Sequence, residues 1–164
     1  MPKQETRQQK EARHLLEITT QDNLRAKVER ILVDGRSHGY SLIIHNALRT
    51  KEVQEQKVAA GNSKTKTSKH LAGKDGKSRA ADIVDERYMW QNVPQHVWVM
   101  IGRLALSKGL NWGGLWGLPV SLRAKFVDFL TDTSKPFNAK GWVDAEGKPN
   151  PIGWDPAHVE AKNK

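Results

Sequence analysis

The chain has 164 residues, of which 37% are hydrophobic and 27% charged, and these values are typical of one soluble globular domain. It contains no cysteine, which excludes disulfide bonds and thiolate metal sites, so a metal ion would need His, Asp or Glu ligands. The net charge of +9 favours a polyanionic partner, such as nucleic acid, anionic lipid or the bacterial envelope, without choosing among them.

The spacing of apolar residues predicts a mixed order of helices and strands, which is the α+β class, in a single domain over 1–164. In chain order we predict a helix over 1–17 with a frayed start, a helix over 22–34, a strand over 40–47, a helix over 51–60, a loop over 61–78, a strand over 80–85, a buried helix over 94–106, a strand over 110–116 with a Gly-Gly interruption, a helix over 120–130, a turn at 146–147 and a strand over 158–161.

The N-terminal segment gives an expectation about location. Residues 1–10 are polar and lack the apolar middle of a secretion signal, and no apolar run approaches the ~20 residues that span a bilayer. We therefore expect the chain to be made, and at first to stay, in a cytoplasm.

The first candidate site combines Ser68-Lys69-His70 with the strand that contains Asp82. Because side chains alternate along a strand, Asp82 shares a face with Ala80 and Val84, where a carboxylate is poorly solvated and needs a cation. A metal ion is one such cation, and an ion pair with a neighbouring basic residue is the alternative.

The second candidate site is the segment Asp155-Pro156-Ala157-His158. Asp followed by Pro favours a type I β-turn, which brings the first and fourth residues close together. His158 would then serve as a metal ligand while Asp155 reaches a metal-bound water, although a plain surface turn also fits the pattern.

Five motifs in a fixed order resemble the M15 family of zinc peptidases. They are Arg49-Thr50 with Gln54, Ser68-x-His70, the Ala-x-Asp that ends at Asp82, Trp112-Gly113-Gly114-x-Trp116, and Asp155-x-x-His158. The sequence is most similar to the bacteriophage endolysin branch of that family, the L-alanyl-D-glutamate peptidases, from about residue 22 to 160.

The resemblance implies a role for each motif. In that family, residues equivalent to His70, Asp82 and His158 bind zinc, the equivalent of Asp155 is the general base, and that of Arg49 contacts the substrate or the developing oxyanion. It also implies the small D-Ala-D-Ala peptidase (hedgehog/LAS-type) fold, with an antiparallel sheet packed against helices. The implied substrate is bacterial peptidoglycan, cut at L-Ala-D-Glu bonds.

Further residues belong to this interpretation with less defined roles. We predict that Gln54, Ser68, Trp112 and Trp116 lie at the substrate, although the two tryptophans would fit a core equally well. Glu160 shares a strand face with His158 and is either a rival base or a residue that orients this ligand. Ser68 supports the His70 loop and is not expected to act as a nucleophile.

The sequence departs from the family between the first two ligands. An insertion around Lys74-Asp75-Gly76-Lys77 lengthens the spacing from His70 to Asp82, and its composition predicts a turn that bulges outward. Lysines in this region would attract substrate carboxylates by long-range steering, or would simply form a solvated loop. They are Lys64, Lys66, Lys69, Lys74 and Lys77.

Two other functions remain open from the sequence. The nearest is the same chemistry at a D-Ala-D-Ala bond, including carboxypeptidase action. A non-catalytic nucleic-acid-binding protein would also explain the basic charge, but no motif supports it, and we expect no nucleic-acid partner. We further expect a monomer without a separate wall-binding domain, released to periplasmic peptidoglycan from the host cytoplasm.

Overall fold

The computed structural model describes residues 1–63, 67–134 and 141–163 of the chain. In these ranges, five α-helices and four strands follow one another in the predicted order. They are α1 (Arg7–Glu17), α2 (Leu24–Ser37), β1 (Leu42–Asn46), α3 (Lys51–Ala59), β2 (Ala80–Asp85), α4 (Gln95–Ser107), β3 (Asn111–Trp112), α5 (Val120–Thr131) and β4 (His158–Glu160). Short 3-10 turns precede α2 and follow β3, at Gln21–Asn23 and Gly113–Leu115.

Two of the helices begin at threonines that cap free backbone amides. The Thr6 hydroxyl accepts from the Gln9 amide at 3.2 Å, and the Gln9 side chain accepts from the Thr6 amide at 2.9 Å. The Thr50 hydroxyl likewise accepts from the Val53 amide at 3.2 Å. The first cap explains why α1 begins at Arg7, which agrees with the predicted frayed start.

The four strands form one antiparallel sheet in the order β1-β2-β4-β3. β2 lies between two neighbours, and all six of its residues are buried. Its residue Asp82 lies directly opposite His158 of β4, while Ile83 lies opposite Ile44 of β1. Two segments far apart in the sequence therefore meet in a fixed register at the centre of the sheet.

The core lies around α4, which the sequence predicts to be buried on nearly every side. Val97, Ile101 and Ala105 of this helix have no exposed surface, and the helix packs against α2, α5 and β3. This arrangement of helices with a small antiparallel sheet confirms the α+β class. None of the helices in the described ranges combines the length and apolar character needed to cross a membrane.

The strand predicted over 110–116 is shorter than expected. Only Asn111 and Trp112 pair with β4, because the chain turns tightly at the two glycines that follow. A Cβ atom on Gly113 would lie 2.2 Å from the Asp155 carbonyl oxygen, and one on Gly114 would lie 2.2 Å from the Trp112 ring. Gly113 therefore allows the segment before β4 to approach the end of β3 closely, and Gly114 leaves room for the Trp112 ring.

The insertion between His70 and β2 forms a compact turn. The Gly73 amide donates to the Lys77 carbonyl at 2.9 Å, and Gly76 occupies the left-handed region with φ of 73°. Residues 72–76 are exposed, so the extra length projects outward, as predicted. The insertion therefore leaves Asp82 in its place on the sheet.

Candidate metal centre

Asp82 and His158 are brought together by the sheet itself. They are direct partners in the antiparallel pairing of β2 with β4, and both side chains are buried. Cross-strand partners in an antiparallel pair have side chains in contact distance on the same face. The pairing therefore fixes a carboxylate and an imidazole side by side without help from any loop.

His70 reaches the same point from the loop between α3 and β2. Its carbonyl accepts from the Arg49 amide at 2.8 Å, and its own amide donates to the Ser68 hydroxyl at 3.2 Å. The next anchor is the Arg79 amide, which donates to the Lys69 carbonyl at 2.9 Å. These backbone bonds hold His70 at 1% exposure, over the strand that contains Asp82.

The three side chains form a tight triangle of ligand atoms. His70 Nε2 lies 3.1 Å from Asp82 Oδ1 and 3.1 Å from His158 Nδ1, and the latter two atoms are 3.4 Å apart. Two ligands on a tetrahedral zinc ion, each bound at 2.0–2.1 Å, are about 3.3 Å apart. Two imidazoles and one carboxylate at this spacing fit a zinc ion with a fourth position left for water.

The outer nitrogen of each imidazole already has an acceptor. His70 Nδ1 lies 2.6 Å from the Ala47 carbonyl oxygen, and His158 Nε2 lies 3.0 Å from Glu160 Oε1. Because these oxygens can only accept, the outer nitrogens bear protons, which leaves His70 Nε2 and His158 Nδ1 as the nitrogens for a cation. The contact with Glu160 agrees with an orienting role for that residue.

Lys69 completes this chain of contacts. Its ammonium group forms an ion pair with Glu160 Oε2 and donates to the Ala161 carbonyl at 2.6 Å. Burial raises the pKa of Glu160, but hydrogen bonds from His158 and Lys69 outweigh this and lower it. Glu160 therefore stays ionised with both oxygens engaged.

The electrostatics of the triangle favour positive charge. Burial raises the pKa of Asp82, but hydrogen bonds from His158 and His70 outweigh it and keep that pKa well below its usual range. Burial lowers the pKa of His158, yet the Asp82 and Glu160 carboxylates raise it to about 9. A proton or a metal ion would satisfy this demand, and the two compete for the same nitrogen.

Asp155 lies beside the triangle at the turn before β4. The His158 amide donates to the Asp155 carbonyl at 3.2 Å, which is the predicted β-turn. The Asp155 carboxylate then lies 3.9 Å from His158 Nδ1. Burial, with the nearby Asp82 charge, raises the pKa of Asp155 to about 6, so this carboxyl exchanges a proton near neutral pH.

Arg49 lies at the same cluster, just before α3. It donates through Nη1 to Gln54 Oε1 at 2.6 Å and through Nη2 to Asp82 Oδ2 at 3.4 Å. Its Nε has no hydrogen-bond partner among the described residues, and the side chain lines a cleft that opens from the cluster. Burial lowers the pKa of Arg49, with the Asp82 and Asp155 charges acting against it.

The cluster opens into a cleft of about 660 Å³. Besides the residues already described, its walls include side chains that the motifs did not single out, of which His45, Trp90 and Trp154 are aromatic. The predicted residues Ser68 and Trp116 also line it, and the Trp116 ring centre is 4.8 Å from that of His158. His45 and Trp90 lie outside all five motifs, so only the folded chain reveals them.

Two of the residues predicted to lie at the substrate are buried in this structure, and for Trp112 this is the core position that the sequence fits equally well. Trp112 is 1% exposed, packs against Phe126 and donates through its indole N–H to the Pro156 carbonyl, so it supports the turn from the core side. Gln54 is fully buried, and it positions Arg49 from behind. The motif spacing could not separate these supporting roles from contact with a ligand.

The lysines of the predicted basic cluster have different surroundings in the structure. Lys64 and Lys66 lie outside the described residues. Lys69 is engaged by Glu160, while Lys74 belongs to the outward turn and is exposed. Among the described lysines of this cluster, Lys69 lies beside the candidate metal centre, and Lys74 and Lys77 belong to the outward turn.

Comparisons with known proteins add a relative to this geometry. No protein-family model matches the sequence. The L-alanyl-D-glutamate peptidase of Listeria phage A118 is 30% identical over 131 residues, which cover 77% of this chain and 41% of that protein. The crystal structure of the Serratia marcescens L-Ala D-Glu endopeptidase ChiX has a TM-score of 0.45 and 23% identity, covering 66% of this chain and 78% of that chain.

The matched region thus spans about two fifths of the length of the phage relative. The similarity confirms the resemblance to the phage L-alanyl-D-glutamate peptidases that the five motifs predict.

Proposed function

We propose that this chain is a zinc-dependent peptidase that hydrolyses L-Ala-D-Glu bonds in the peptides of bacterial peptidoglycan. The observation that carries the proposal is the buried triangle of His70, Asp82 and His158, with the raised-pKa carboxyl of Asp155 beside it. The similarity to a phage L-alanyl-D-glutamate peptidase supports the choice of substrate and bond.

His70, Asp82 and His158 would hold the zinc ion, which would supply a Lewis acid for the scissile carbonyl and a water molecule whose pKa is lowered toward ~7. The residues around the triangle supply the rest of the chemistry. The Asp155 carboxylate, which lies 3.9 Å from His158 Nδ1 beside the triangle, accepts the proton of the attacking water and returns it to the leaving amine nitrogen. Arg49 presents guanidinium N–H groups at the cluster, where they stabilise negative charge on the carbonyl oxygen.

The contacts of Glu160 support Asp155 as the base. Glu160 is occupied by His158 on one oxygen and by Lys69 on the other, and its pKa is lowered. A carboxylate with these partners and a low proton affinity is a poor acceptor for the proton of a water molecule. Burial raises the pKa of Asp155 instead, and its carboxylate lies 3.9 Å from His158 Nδ1, the nitrogen that faces the triangle.

The choice of bond rests on the relative rather than on the triangle. Cleavage beside D-Ala would use the same residues, since the shape of the cleft walls determines which peptide fits. We propose L-Ala-D-Glu because the phage relative carries that name. The proposed substrate lies outside the cytoplasmic membrane, so we propose that the protein acts on periplasmic peptidoglycan after release from the host cytoplasm. We also propose that it acts as a monomer.

The test combines metal content with product analysis. We expect about one zinc ion per chain by elemental analysis, and digestion of purified peptidoglycan should release peptides with a new D-Glu amino terminus, identified by mass spectrometry. Asp155→Asn should keep its zinc and lose a factor of roughly 100 to 10,000 in turnover.

Glu160→Gln is the matched control for a carboxylate next to the triangle. It should weaken zinc binding and keep substantial turnover when zinc is saturating. A protein that binds no zinc after reconstitution would exclude the proposed chemistry. New D-Ala termini alone would instead place the cut at a D-Ala bond.

A further inference from the structure

The cleft has an aromatic wall on the β1 side that the proposed chemistry does not use. His45 and Trp90 meet edge to face there, with ring centres 5.4 Å apart and an interplanar angle of 89°. Trp98 of α4 lies behind Trp90 at 6.1 Å. Both His45 and Trp90 line the cleft, yet 48% of Trp90 is exposed. A large aromatic side chain left half-exposed inside a cleft is a ready contact surface for a ligand.

His45 faces this cleft because β1 is irregular at this position. Ile44 pairs with Ile83, but the next partner on β2, Asp82, pairs with Asn46. His45 is therefore the extra residue of a β-bulge. Bulges re-aim a side chain and are common beside functional sites. His45 also directly precedes Asn46, the residue that pairs with Asp82.

Trp90 is presented by a second irregular segment, the turn after β2. Met89 and Asn92 both adopt left-handed backbone conformations, with φ of 54° and 50°, although neither is glycine. The turn is closed by backbone bonds from Met89 to Asp85 at 2.9 Å and from Gln91 to Tyr88 at 3.1 Å. Unfavourable conformations of this kind concentrate at ligand sites. Two separate backbone irregularities thus converge on one pair of side chains.

We propose that His45 and Trp90 form a saccharide subsite, on which the N-acetylmuramic acid ring that carries the stem peptide stacks. The inference rests on the proposed function, because in peptidoglycan the L-Ala residue is joined directly to that sugar. An L-Ala-D-Glu bond held at the metal centre therefore leaves the sugar one residue away. The His45–Trp90 wall lies beside the metal centre, through the Asn46–Asp82 pairing.

The chemistry of the substrate favours the sugar over the peptide as the partner of this wall. The stem residues around the bond are small, acidic or cationic, and none has a broad apolar face. A pyranose ring has one face of C–H groups bordered by polar groups. The indole of Trp90 matches it, with an apolar face and an N–H group that lies 3.5 Å from His45 Nε2 at its edge.

The test compares two substrates that differ only in the sugar, namely a disaccharide tetrapeptide and the same tetrapeptide without the disaccharide. Trp90→Ala should lower kcat/KM for the disaccharide substrate by roughly three- to tenfold and change that for the free peptide less than twofold. Trp90→Phe, which keeps an aromatic face, should retain most of the preference.

Trp154→Ala is the matched control, because Trp154 is 46% exposed and lines the same cleft, beside Trp116. Any loss in that variant should affect both substrates equally. An equal loss on both substrates in Trp90→Ala, or no loss on either, would overturn the subsite. A selective loss on the disaccharide substrate in Trp154→Ala, with none in Trp90→Ala, would also overturn it.

A binding measurement separates this inference from the proposed function. The peptide-free disaccharide of N-acetylglucosamine and N-acetylmuramic acid should shift the indole N–H resonance of Trp90 in an NMR titration, and Trp90→Ala should abolish binding. A protein that binds the disaccharide but cleaves neither substrate would refute the peptidase and support the subsite. One that cleaves both substrates equally and does not bind the disaccharide would refute the subsite alone.

Discussion

The candidate metal centre has two halves that are held by different kinds of structure. Asp82 and His158 are cross-strand partners, so the hydrogen bonds of the sheet fix their relative position. His70 comes from a loop whose position depends on a few backbone bonds and on the Ala47 carbonyl that holds its ring. We expect the loop half to open locally more readily than the sheet half, because a local opening of the loop requires only the contacts of that segment to break.

The largest effect should come from removing a ligand from either half. His158→Ala and His70→Ala should each lower zinc affinity more than about a hundredfold, since loss of an outer contact alone costs 10- to 100-fold. The two variants should differ in how fast the backbone amides of the metal-free protein exchange their hydrogens. His70→Ala loses the bond to the Ala47 carbonyl and should speed exchange in its loop, while His158→Ala leaves the pairing of β2 with β4 intact.

His96→Ala is the matched control for both variants. His96 lies at the start of α4, where it contacts the Tyr40 hydroxyl at 3.0 Å, away from the metal centre. The zinc affinity of the His96→Ala variant should equal that of the wild type. Equal exchange behaviour in the two ligand variants would show that the halves do not differ as argued.

Lys69 links the two halves and gives the next largest effect. It belongs to the His70 loop, yet its ammonium group binds Glu160 and the Ala161 carbonyl at the end of β4. Lys69→Met should lower zinc affinity about tenfold, measured by competition with a chelator, because Glu160 then orients His158 less firmly. Lys69→Arg should retain most of the affinity.

Lys74→Met separates this role from electrostatic steering. Lys74 is exposed on the outward turn of the same loop. The Lys74→Met substitution should therefore leave zinc affinity unchanged. If both variants instead lowered kcat/KM equally, in a salt-dependent way and with zinc affinity intact, Lys69 would act on the substrate and not on the metal centre.

The sequence predicts the elements of the sheet half, but it does not predict how they pair. The apolar run of β2 and the Asp-Pro turn before His158 are local signals, and both appear in the structure. The pairing of Asp82 with His158 is not local, since nothing in either segment specifies its partner across the 75 residues that separate them. The family resemblance supplies the partner, because it assigns both residues to one metal site even when the strand register is unknown.

The parts that the sequence did not predict depend on contacts between distant segments. The bulge at His45 exists only relative to β2, and the left-handed turn at Met89 has no glycine to mark it. Trp112 and Gln54 belong to motifs, but whether a motif residue faces a cleft or the core is decided by packing. Local propensity and spacing therefore predict elements and candidate ligands, and they leave the cleft walls undetermined.

The far end of β2 offers a pH-dependent test of the sheet half. The Asp85 carboxylate is fully buried and accepts from the Ser41 amide at 3.2 Å and from the Arg87 side chain at 2.7 and 2.9 Å. Burial raises its pKa, but the hydrogen bonds from Arg87 and Ser41 outweigh this and lower it below 3.8. The stabilisation is therefore complete above pH ~4 and is lost as the pH falls through the lower, folded-state pKa.

Asp85→Asn should thus lower the free energy of unfolding by about 1–3 kcal/mol at pH 7, measured by urea denaturation of the metal-free protein. The difference from the wild type should shrink at lower pH, as the wild-type carboxylate takes up its proton. Glu86→Gln is the control, because Glu86 is exposed at the neighbouring position. A difference that stays constant with pH would mean that the charge of Asp85 is not what stabilises this end of the strand.

The smallest effect should come from the anchor of the outward turn, which belongs to the loop half. Thr19 donates to Asp75 Oδ2 at 2.5 Å, and the Lys77 amide donates to Asp75 Oδ1 at 3.0 Å. Asp75→Ala should speed hydrogen exchange at Lys77 a few-fold and lower zinc affinity by less than Lys69→Met does, with no change in melting temperature, because only the local opening becomes easier. Lys74→Ala, in the same turn but without these bonds, should behave as the wild type. A fall in melting temperature in Asp75→Ala would mean that the loop half unfolds together with the sheet, and the two halves of the metal centre would then be one cooperative unit.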